Sequence, residues 1–411
     1  MIVQRTEQII IDKDNIYYEM LNKFCILAKN LYNHANYLVR REFIATGNWI
    51  RSGELIRLLR NDLEYPDYQN MPTSQCAQHV INSLDLSWKS FFVIIKDWAK
   101  HKDAYLGRPN LPKYKAKNAR IPIILSNQDA KFRNNVINFP KSFNGLILSP
   151  KCIYRKDFIS GQQVRFIPRS NYIVAEVVYR IEISDEIKDD NCRYLSVDIG
   201  VDNLVAIANN FGENPVLING KGLKSINQYY NKTAAYYCKI AKQMNGLNST
   251  NRLQRLSNKR HAKVKDYMHK VSRYIVDYAQ ANNVCTIVIG YNKQWKQMCD
   301  LGRRNNQNFI QIPFNMLIEQ IQYKAQELGI QVSLTEESYT SGTSYLDNEM
   351  PTKENYNKTR RIHRGLFMSN VGVVINADVN AAYQILKKVF PNAYANGIEV
   401  TWSSPVKVNI V

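Results

Sequence analysis

Apolar residues recur every three or four positions in seven stretches of the chain. This spacing places them on one face of a helix, so it predicts amphipathic helices that bury that face. The predicted helices cover residues 15–43, 54–63, 74–100, 223–244, 251–281, 313–328 and 378–390. The helix at 74–100 has the clearest start, because the preceding Pro72 and Thr73 are typical of a helix cap.

Shorter apolar or alternating runs predict strands, and these fall into two groups. The first group covers residues 2–11, 121–125, 136–139, 145–148, 163–167 and 173–179, and the second covers 194–200, 204–209, 215–219, 285–289 and 330–334. The first group predicts an antiparallel barrel or sheet with a helical insertion. The second opens with three closely spaced strands, which predict an antiparallel meander, and then alternates with helices. The expected fold is therefore multidomain, of the α/β and α+β classes.

An acidic run at residues 184–190 lies between the two groups of strands and is the best candidate for a domain boundary. A length of 411 residues predicts two or three domains, each long enough to bury a core.

The formal net charge of +20 favours a polyanionic partner such as nucleic acid over a basic surface without a partner. The positive charge is clustered. Residues 101–181 hold 15 Lys and Arg against 4 Asp and Glu, and residues 251–275 hold 8 against 1.

The seven cysteines are widely spaced and form no Cys-x-x-Cys pair, which indicates free thiols in a reducing compartment. The N-terminus has no secretion signal, and no stretch of 18 apolar residues is present. We therefore expect a cytosolic protein without contact with a membrane.

Two basic segments are candidates for binding nucleic acid. In the loop at 107–120, the lysines flank a tyrosine, a pattern suited to phosphates and one stacked base, although a solvated linker fits equally well. In the helix at 251–281, four basic residues step by three or four positions and share one face. The candidates are Lys113, Tyr114, Lys115 and Lys117 in the loop, and Arg252, Arg255, Lys259 and Lys263 on the helix.

Two aspartates stand where a metal-dependent nuclease needs them. Asp198 ends the first strand of the meander, and Asp378 lies in the first turn of the last helix. Carboxylates presented this way can meet at one sheet edge and share divalent metal ions, as in a ribonuclease H-like core. An isolated Asp-x-Gly is common in turns, so the specificity comes from its combination with the segment 376–382.

The chain resembles TnpB, a family of transposon-associated, RNA-guided nucleases related to type V CRISPR effectors. The resemblance rests on VDIGVDNL (197–204), IGYNKQWK (289–296), GRRNNQNFIQIPF (302–314), EESYTS (336–341), RGLF (364–367) and NADVN (376–380). Residues 88–92 and 107–115 resemble the N-terminal half of the same proteins. The family implies a RuvC-like nuclease domain and a β-barrel, wedge-like domain with a helical recognition insertion.

The resemblance implies a third metal-binding acid, and here the chain departs from the common pattern. The usual glutamate position at the end of the strand 285–289 is Gly290, which cannot bind metal. The replacement we predict is Glu337, as in a subset of the family, so that Asp198, Glu337 and Asp378 would be both catalytic and metal-binding. Glu336 is the adjacent spare, and an ordinary surface glutamate at 337 is the alternative.

The zinc ribbon of typical members is also missing. Residues 339–376 contain no cysteine and one histidine, so no four-ligand zinc site is expected. The segment would either keep a ribbon-like shape without metal or form a lid. Asp347 and Glu349 could assist metal binding, but a solvated acidic turn is the simpler interpretation.

The resemblance implies a guide RNA from the transposon end, a double-stranded target DNA, and Mg²⁺ with Mn²⁺ as an alternative. The implied domains are a wedge-like barrel (1–14 and 101–190), a recognition insertion (15–100), a RuvC-like domain (191–338 and 376–392), a loop replacing the ribbon (339–375) and a tail (393–411). The expected activity is guided cleavage of DNA next to a short motif. The alternatives are a nuclease-inactive guided DNA-binding protein and a transposase acting directly on DNA.

Overall fold

Two units make up the computed structural model, Met1–Ile183 and Ser184–Val411. The structure describes residues 1–292, 302–363, 365–394 and 404–410. The motif residues Trp295, Lys296 and Arg364 lie outside the described residues. The acidic run 184–190 opens the second unit.

The first unit places three helices between its first two strands. Its elements are β1 (Ile2–Asp12), α1 (Tyr18–Thr46), α2 (Ser52–Arg60), α3 (Ser74–Lys100), β2 (Ile123–Ser126), β3 (Lys131–Arg133), β4 (Val136–Asn138), β5 (Ile147–Leu148), β6 (Phe158–Pro168) and β7 (Tyr172–Glu182). The α3 boundaries match the prediction, and the Thr73 hydroxyl caps the helix by accepting from the Cys76 amide at 3.1 Å.

The strands of the first unit form two antiparallel sheets, with orders β1-β7-β6-β2 and β3-β4-β5. A barrel was one of the expected outcomes, but strand pairing in the described residues does not close one. The reason lies in strand length: β1 and β7 pair along all 11 residues of β1, whereas β2 has four residues and pairs only with β6. The arrangement is an open sheet covered by α1 and α3.

The second unit alternates strands and helices after an initial meander. Its elements are β8 (Tyr194–Ile199), β9 (Asn203–Asn209), β10 (Val216–Asn219), α4 (Lys221–Asn245), α5 (Asn251–Ala281), β11 (Thr286–Gly290), α6 (Arg303–Ile310), α7 (Phe314–Gln326), β12 (Gln331–Thr335), β13 (Leu366–Met368), β14 (Val374–Asn376), α8 (Ala377–Val389) and β15 (Val406–Val408).

One six-stranded sheet organises this unit, in the order β12-β11-β8-β9-β10-β15. The pairs β8-β9 and β9-β10 are antiparallel, while β11 runs parallel to β8 and β12 parallel to β11. The carboxyl ends of β8, β11 and β12 therefore meet at one edge.

The expected tail 393–411 is not simply a tail, because β15 pairs in parallel with β10. The pattern did not show this strand, because β15 depends on its pairing with β10 rather than on its own sequence. In the described residues, no helix is both long and apolar enough to span a membrane.

The two faces of the sheet are covered by different helices. Leu195 and Val197 of β8 share a buried cluster with residues of α5 and α7. The intervening Ser196 points the opposite way, and its hydroxyl donates to the Ala382 carbonyl of α8 at 2.7 Å. This alternation puts Asp198 on the face that α8 covers.

Polar side chains connect several parts of the segment 339–376. The Glu349 carboxylate accepts hydrogen bonds from the Ser344 amide at 2.8 Å, from Arg360 at 2.7 Å and from Asn370 at 3.2 Å. Asn380 of α8 donates to the Thr343 carbonyl at 2.8 Å. The interpretation of Glu349 as a solvated acidic residue was therefore wrong.

Candidate active site

Asp378 approaches Asp198 because the start of α8 lies over β8. The Asn376 side chain caps the helix by accepting from the amides of Asp378 and Val379, which fixes the first turn. The Asp378 carboxylate accepts a hydrogen bond from Asn203 at 2.8 Å and lies 3.7 Å from the Arg361 guanidinium. Asp378 is therefore held from two sides, by the strand after Asp198 and by the segment before β13.

Glu337 reaches the same region from the chain that follows β12. The Asn292 side chain holds its backbone, because the Asn292 Oδ1 accepts from the Glu337 amide at 3.1 Å. The Asn292 Nδ2 also donates to Glu337 Oε2 in a long contact of 3.5 Å. Glu337 Oε1 is buried and has no hydrogen-bond partner among the described residues. A buried carboxylate oxygen without a partner is costly, so this atom is open to a ligand that would complete it.

Gly290 and Glu337 share one space. A Cβ atom built on Gly290 would lie 2.5 Å from Glu337 Oε1 and 2.7 Å from Glu337 Cγ. It would also lie 2.6 Å from Ile385 Cδ1 of α8. These distances are shorter than any normal carbon contact, so glycine at 290 leaves room for the Glu337 side chain to lie over the end of β11.

Burial and neighbouring carboxylates raise the pKa of two of the acids, Asp198 and Glu337. Burial, with the nearby Asp378, raises the pKa of Asp198 to about 7, against a smaller opposing effect of Arg361. Burial, with the nearby Asp198, raises the pKa of Glu337 to about 9. Asp198 is therefore the central member of the cluster, and adding a cation would relieve both the repulsion and the lost solvation.

The donor set suits a hard divalent cation, which prefers carboxylate oxygens. The orphaned Glu337 Oε1 and the mutual repulsion of the acids both fit such an ion. In the conformation described, no group of three His, Cys, Asp or Glu side chains within the described ranges is close enough to hold a metal. The acids are thus neighbours in pairs, with Asp198 common to both pairs.

The spare acid Glu336 is not brought into the cluster. Its side chain is exposed, and its backbone carbonyl accepts from Lys388 at 2.9 Å. Asp347 also lies apart, since its carboxylate accepts from the Asn370 amide at 2.7 Å.

The basic loop of the first unit is attached to α1 rather than free. The Asn33 side chain exchanges two hydrogen bonds with the Lys115 backbone, at 2.8 and 2.9 Å. Arg40 donates to the Pro112 carbonyl at 2.9 Å and lies 5.3 Å from the Tyr114 ring centroid. Lys113, Tyr114 and Lys117 are exposed. The loop therefore presents its aromatic and basic side chains from a fixed backbone, which disfavours the interpretation as a linker.

The four basic residues of α5 are all exposed on the second unit. Arg252 packs over the Tyr237 ring of α4 at 4.0 Å from its centroid. Arg255, Lys259 and Lys263 follow along the helix. The structure thus presents the predicted basic face to solvent, while Leu253 and Val264 are buried.

Sequence reasoning did not assign three residues that hold the acids. Asn203 and Asn292 lie inside motifs that the resemblance used, so their position was a signal that could have been read. Arg361 had no such signal, because its proximity to Asp378 depends on how the segment 339–376 folds.

Two family models match the second half of the chain. OrfB_IS605, described as a probable transposase, matches residues 177–296, and the Cas12f1-like TNB domain matches residues 314–385. Among curated proteins, none matches the chain significantly.

The comparison with solved structures finds complexes of Cas12f proteins. A Cas12f1–sgRNA–target DNA complex matches with a TM-score of 0.54 at 14% identity, covering 89% of this chain and 82% of that chain. A CRISPR-Cas12f ternary complex matches with a TM-score of 0.37 at 15% identity, covering 89% and 81%. The first likeness shows a mixed α/β multidomain fold similar to that of Cas12f. The two family models and the motifs support a TnpB-like protein.

Proposed function

We propose that this protein is an RNA-guided, metal-dependent endonuclease that cuts DNA next to a short adjacent motif. The observation that carries the proposal is the placement of Glu337 over Gly290 and near Asp198, which in turn neighbours Asp378. The strand order supports a ribonuclease H-like, RuvC-type domain. The antiparallel meander β8-β9-β10 is extended beyond β8 by two strands, β11 and β12, that run parallel to β8. Asp198 lies at the carboxyl end of β8, Glu337 follows β12, and Asp378 lies in the first turn of α8.

In this proposal Asp198, Glu337 and Asp378 hold Mg²⁺ or Mn²⁺. The bound metal would supply an activated water and stabilisation of the leaving oxygen of a phosphodiester. The Asn292 side chain positions Glu337 by accepting a hydrogen bond from the Glu337 backbone amide, and the Asn203 side chain orients Asp378. The Arg361 guanidinium, 3.7 Å from the Asp378 carboxylate, would balance the acids until metal and substrate bind.

The proposed partners are a structured guide RNA and a double-stranded target DNA. The Cas12f1 complex with a similar fold holds both an sgRNA and target DNA. Base pairing would read the target, while the protein would read the adjacent motif and the duplex shape. We assign the first unit to a wedge-like role, with helices α1–α3 as the recognition insertion, and the basic loop and α5 to backbone contacts.

The inactive alternative depended on Gly290 as evidence of a missing acid. The close approach of Glu337 to Gly290 favours an active site instead. The Glu337 carboxylate occupies the space that a side chain at residue 290 would need, so the glycine is no evidence of a missing acid. A transposase acting directly on DNA is the second candidate, and the description of the matched family model as a probable transposase favours retaining it.

The test is a cleavage assay on the complex purified with RNA transcribed from its own locus. The substrate is a DNA library with a guide-matched site and a randomised flank, incubated with Mg²⁺ or with EDTA. We expect Mg²⁺-dependent cuts at the matched site, enriched for one flank. Cleavage that is equal without RNA would support the direct transposase, and guided binding without cuts would support the inactive protein.

A further inference from the structure

A cavity of about 310 Å³ lies between α4 and α5, on the basic side of the second unit. Its walls include Tyr229 and Tyr230 of α4 and three basic residues of α5, Lys259, Arg260 and Lys263. This volume is at the lower end of the range for ligand pockets, about 300–1,000 Å³. Neither tyrosine belongs to the acid cluster of Asp198, Glu337 and Asp378.

Arg260 connects one wall of the cavity to its surroundings through two hydrogen bonds. Its Nε donates to Asn227 Oδ1 at 2.8 Å, and its NH2 donates to the Gln311 carbonyl at 2.9 Å. The guanidinium also lies 5.4 Å from the Tyr230 ring centroid. Since Asn227 is only 1% exposed, Arg260 ties the cavity wall to the core and holds Tyr230 in place.

The remaining groups are free to receive a ligand. Tyr229 is 66% exposed, and Lys259 and Lys263 are exposed one helical turn apart. Within the described part of the chain, neither lysine makes an ion pair with a carboxylate. A cavity that offers an aromatic face beside two uncompensated cations matches the two parts of a nucleotide, its base and its phosphate.

We propose that this cavity is a nucleotide-binding site, in which an unpaired base stacks on Tyr229 and the adjoining phosphate binds Lys259 and Lys263. The proposal rests on the nucleic-acid-binding function proposed above and adds one defined contact to it. Stacking makes the site tolerant of base identity, so it would anchor a strand rather than read a sequence.

The test measures binding of the full-length protein to two fluorescein-labelled oligonucleotides of equal sequence, a single-stranded RNA and a single-stranded DNA, across a salt series. We expect Tyr229→Ala to weaken binding about tenfold with an unchanged salt dependence, since stacking contributes roughly this much per base. Lys259→Gln should lower the slope of log K against log salt by about 0.7, because one phosphate contact is lost. The strand type that responds identifies the source of the nucleotide.

Two variants serve as matched controls. Tyr236→Ala removes another exposed tyrosine of α4 that does not line the cavity, and Lys239→Gln removes one positive charge from the same helix. The proposal is overturned if Tyr229→Ala and Tyr236→Ala weaken binding equally, or if neither has an effect while the wild-type protein binds. If the wild-type protein binds neither oligonucleotide, the failure is that of the proposed function itself.

Discussion

A Cβ atom at residue 290 and the Glu337 side chain would compete for the same volume. Glycine at the end of β11 is compatible with a neighbouring carboxylate from the chain after β12, because Glu337 Oε1 lies where a Cβ would be. The chemistry that a glutamate at 290 would supply can then come from residue 337. The number of acids would then be unchanged, and one of them would be carried by the chain after β12 instead of the end of β11.

Gly290→Ala should therefore damage the site without removing any acid. The added methyl would displace the Glu337 carboxylate, and a shift of about 1 Å in a reacting group can reduce a rate roughly 100-fold. We expect that loss in the cleavage rate of guide-matched DNA, with binding of the DNA retained. Gly222→Ala is the control, because its Cβ would meet the Tyr267 ring at an ordinary 3.4 Å. Full activity of Gly290→Ala would show that Glu337 has no role at that position.

The burial of Glu337 also predicts a dependence of stability on pH. Because the folded-state pKa is raised to about 9, its contribution is complete below the unfolded value near 4.5 and is lost as the pH rises toward 9. In EDTA, Glu337→Gln should therefore be more stable than wild type by about 1–3 kcal/mol at pH 8.5 and by almost nothing near pH 4.5. Denaturant unfolding at the two pH values measures this.

Added Mg²⁺ should reverse the order, because the ion stabilises the wild-type acids and the variant lacks one of them. Glu336→Gln, at the exposed neighbouring position, should behave as wild type throughout. A stability difference for Glu337→Gln that is the same at both pH values would contradict the buried, raised-pKa carboxylate.

What the sequence could show at this scale was the identity of the acids, not their support. Asp198 and Asp378 stand in recognisable motifs, and Glu337 was named because Gly290 left a gap. The Arg361 contact with Asp378 and the unpartnered Glu337 Oε1 depend on long-range packing, which a pattern of spacings does not encode. The catalytic role of the three acids stays a prediction.

At the scale of elements, the segment 339–376 keeps its shape through a partly buried ion pair. Arg360 and Glu349 are 2.7 Å apart, with side chains 16% and 15% exposed. Although burial raises the pKa of Glu349, hydrogen bonds from Arg360 and the Ser344 amide bring it below its ordinary value. The Glu349 carboxylate connects turns of a segment whose sequence contains no metal-ligand pattern. Arg361, the residue after Arg360, contacts Asp378.

Glu349→Ala should loosen this segment, because it leaves Arg360 without its partner. Removing one member of a buried pair costs about 3–5 kcal/mol, and we expect roughly 2–3 here because the pair is partly exposed. Limited proteolysis within 339–376 and the thermal midpoint report the change. Glu354→Ala is the control, since Glu354 is exposed in the same segment. If the two variants are equally protease-resistant, Glu349 does not organise the segment.

Most of the regular elements could be predicted, since eleven strands and seven helices follow from periodicity with boundaries shifted by a few residues. The strands that were missed, β3 and β13–β15, have three residues each, but length alone does not explain this, because β4 and β5 are no longer and were predicted. Helix α6 was missed because its sequence, RRNNQNFI, has almost no apolar face. In each case the element depends on its neighbours rather than on its own pattern.

At the scale of the whole molecule, the two units carry different parts of the proposed task. The first presents a basic loop fixed to α1, and the second presents the acid cluster and the basic face of α5. The net charge of +20 supplies the general attraction for a polyanion, and it predicts binding that weakens steeply with salt. Charge alone cannot distinguish a guided nuclease from a binding protein, and the acid cluster is what separates them.

The most direct test of the proposed active site compares three RNA-loaded proteins in Mg²⁺: the wild type, Asp198→Asn and Glu337→Gln. Both the binding and the cleavage of guide-matched DNA are measured. We predict that both variants bind the target as the wild type does and cut it at least 100-fold more slowly, because each loses a metal-binding oxygen donor. Cutting by Glu337→Gln at the wild-type rate, with Asp198→Asn inactive, would show that the third acid lies elsewhere. Unchanged cutting by both would contradict the site itself.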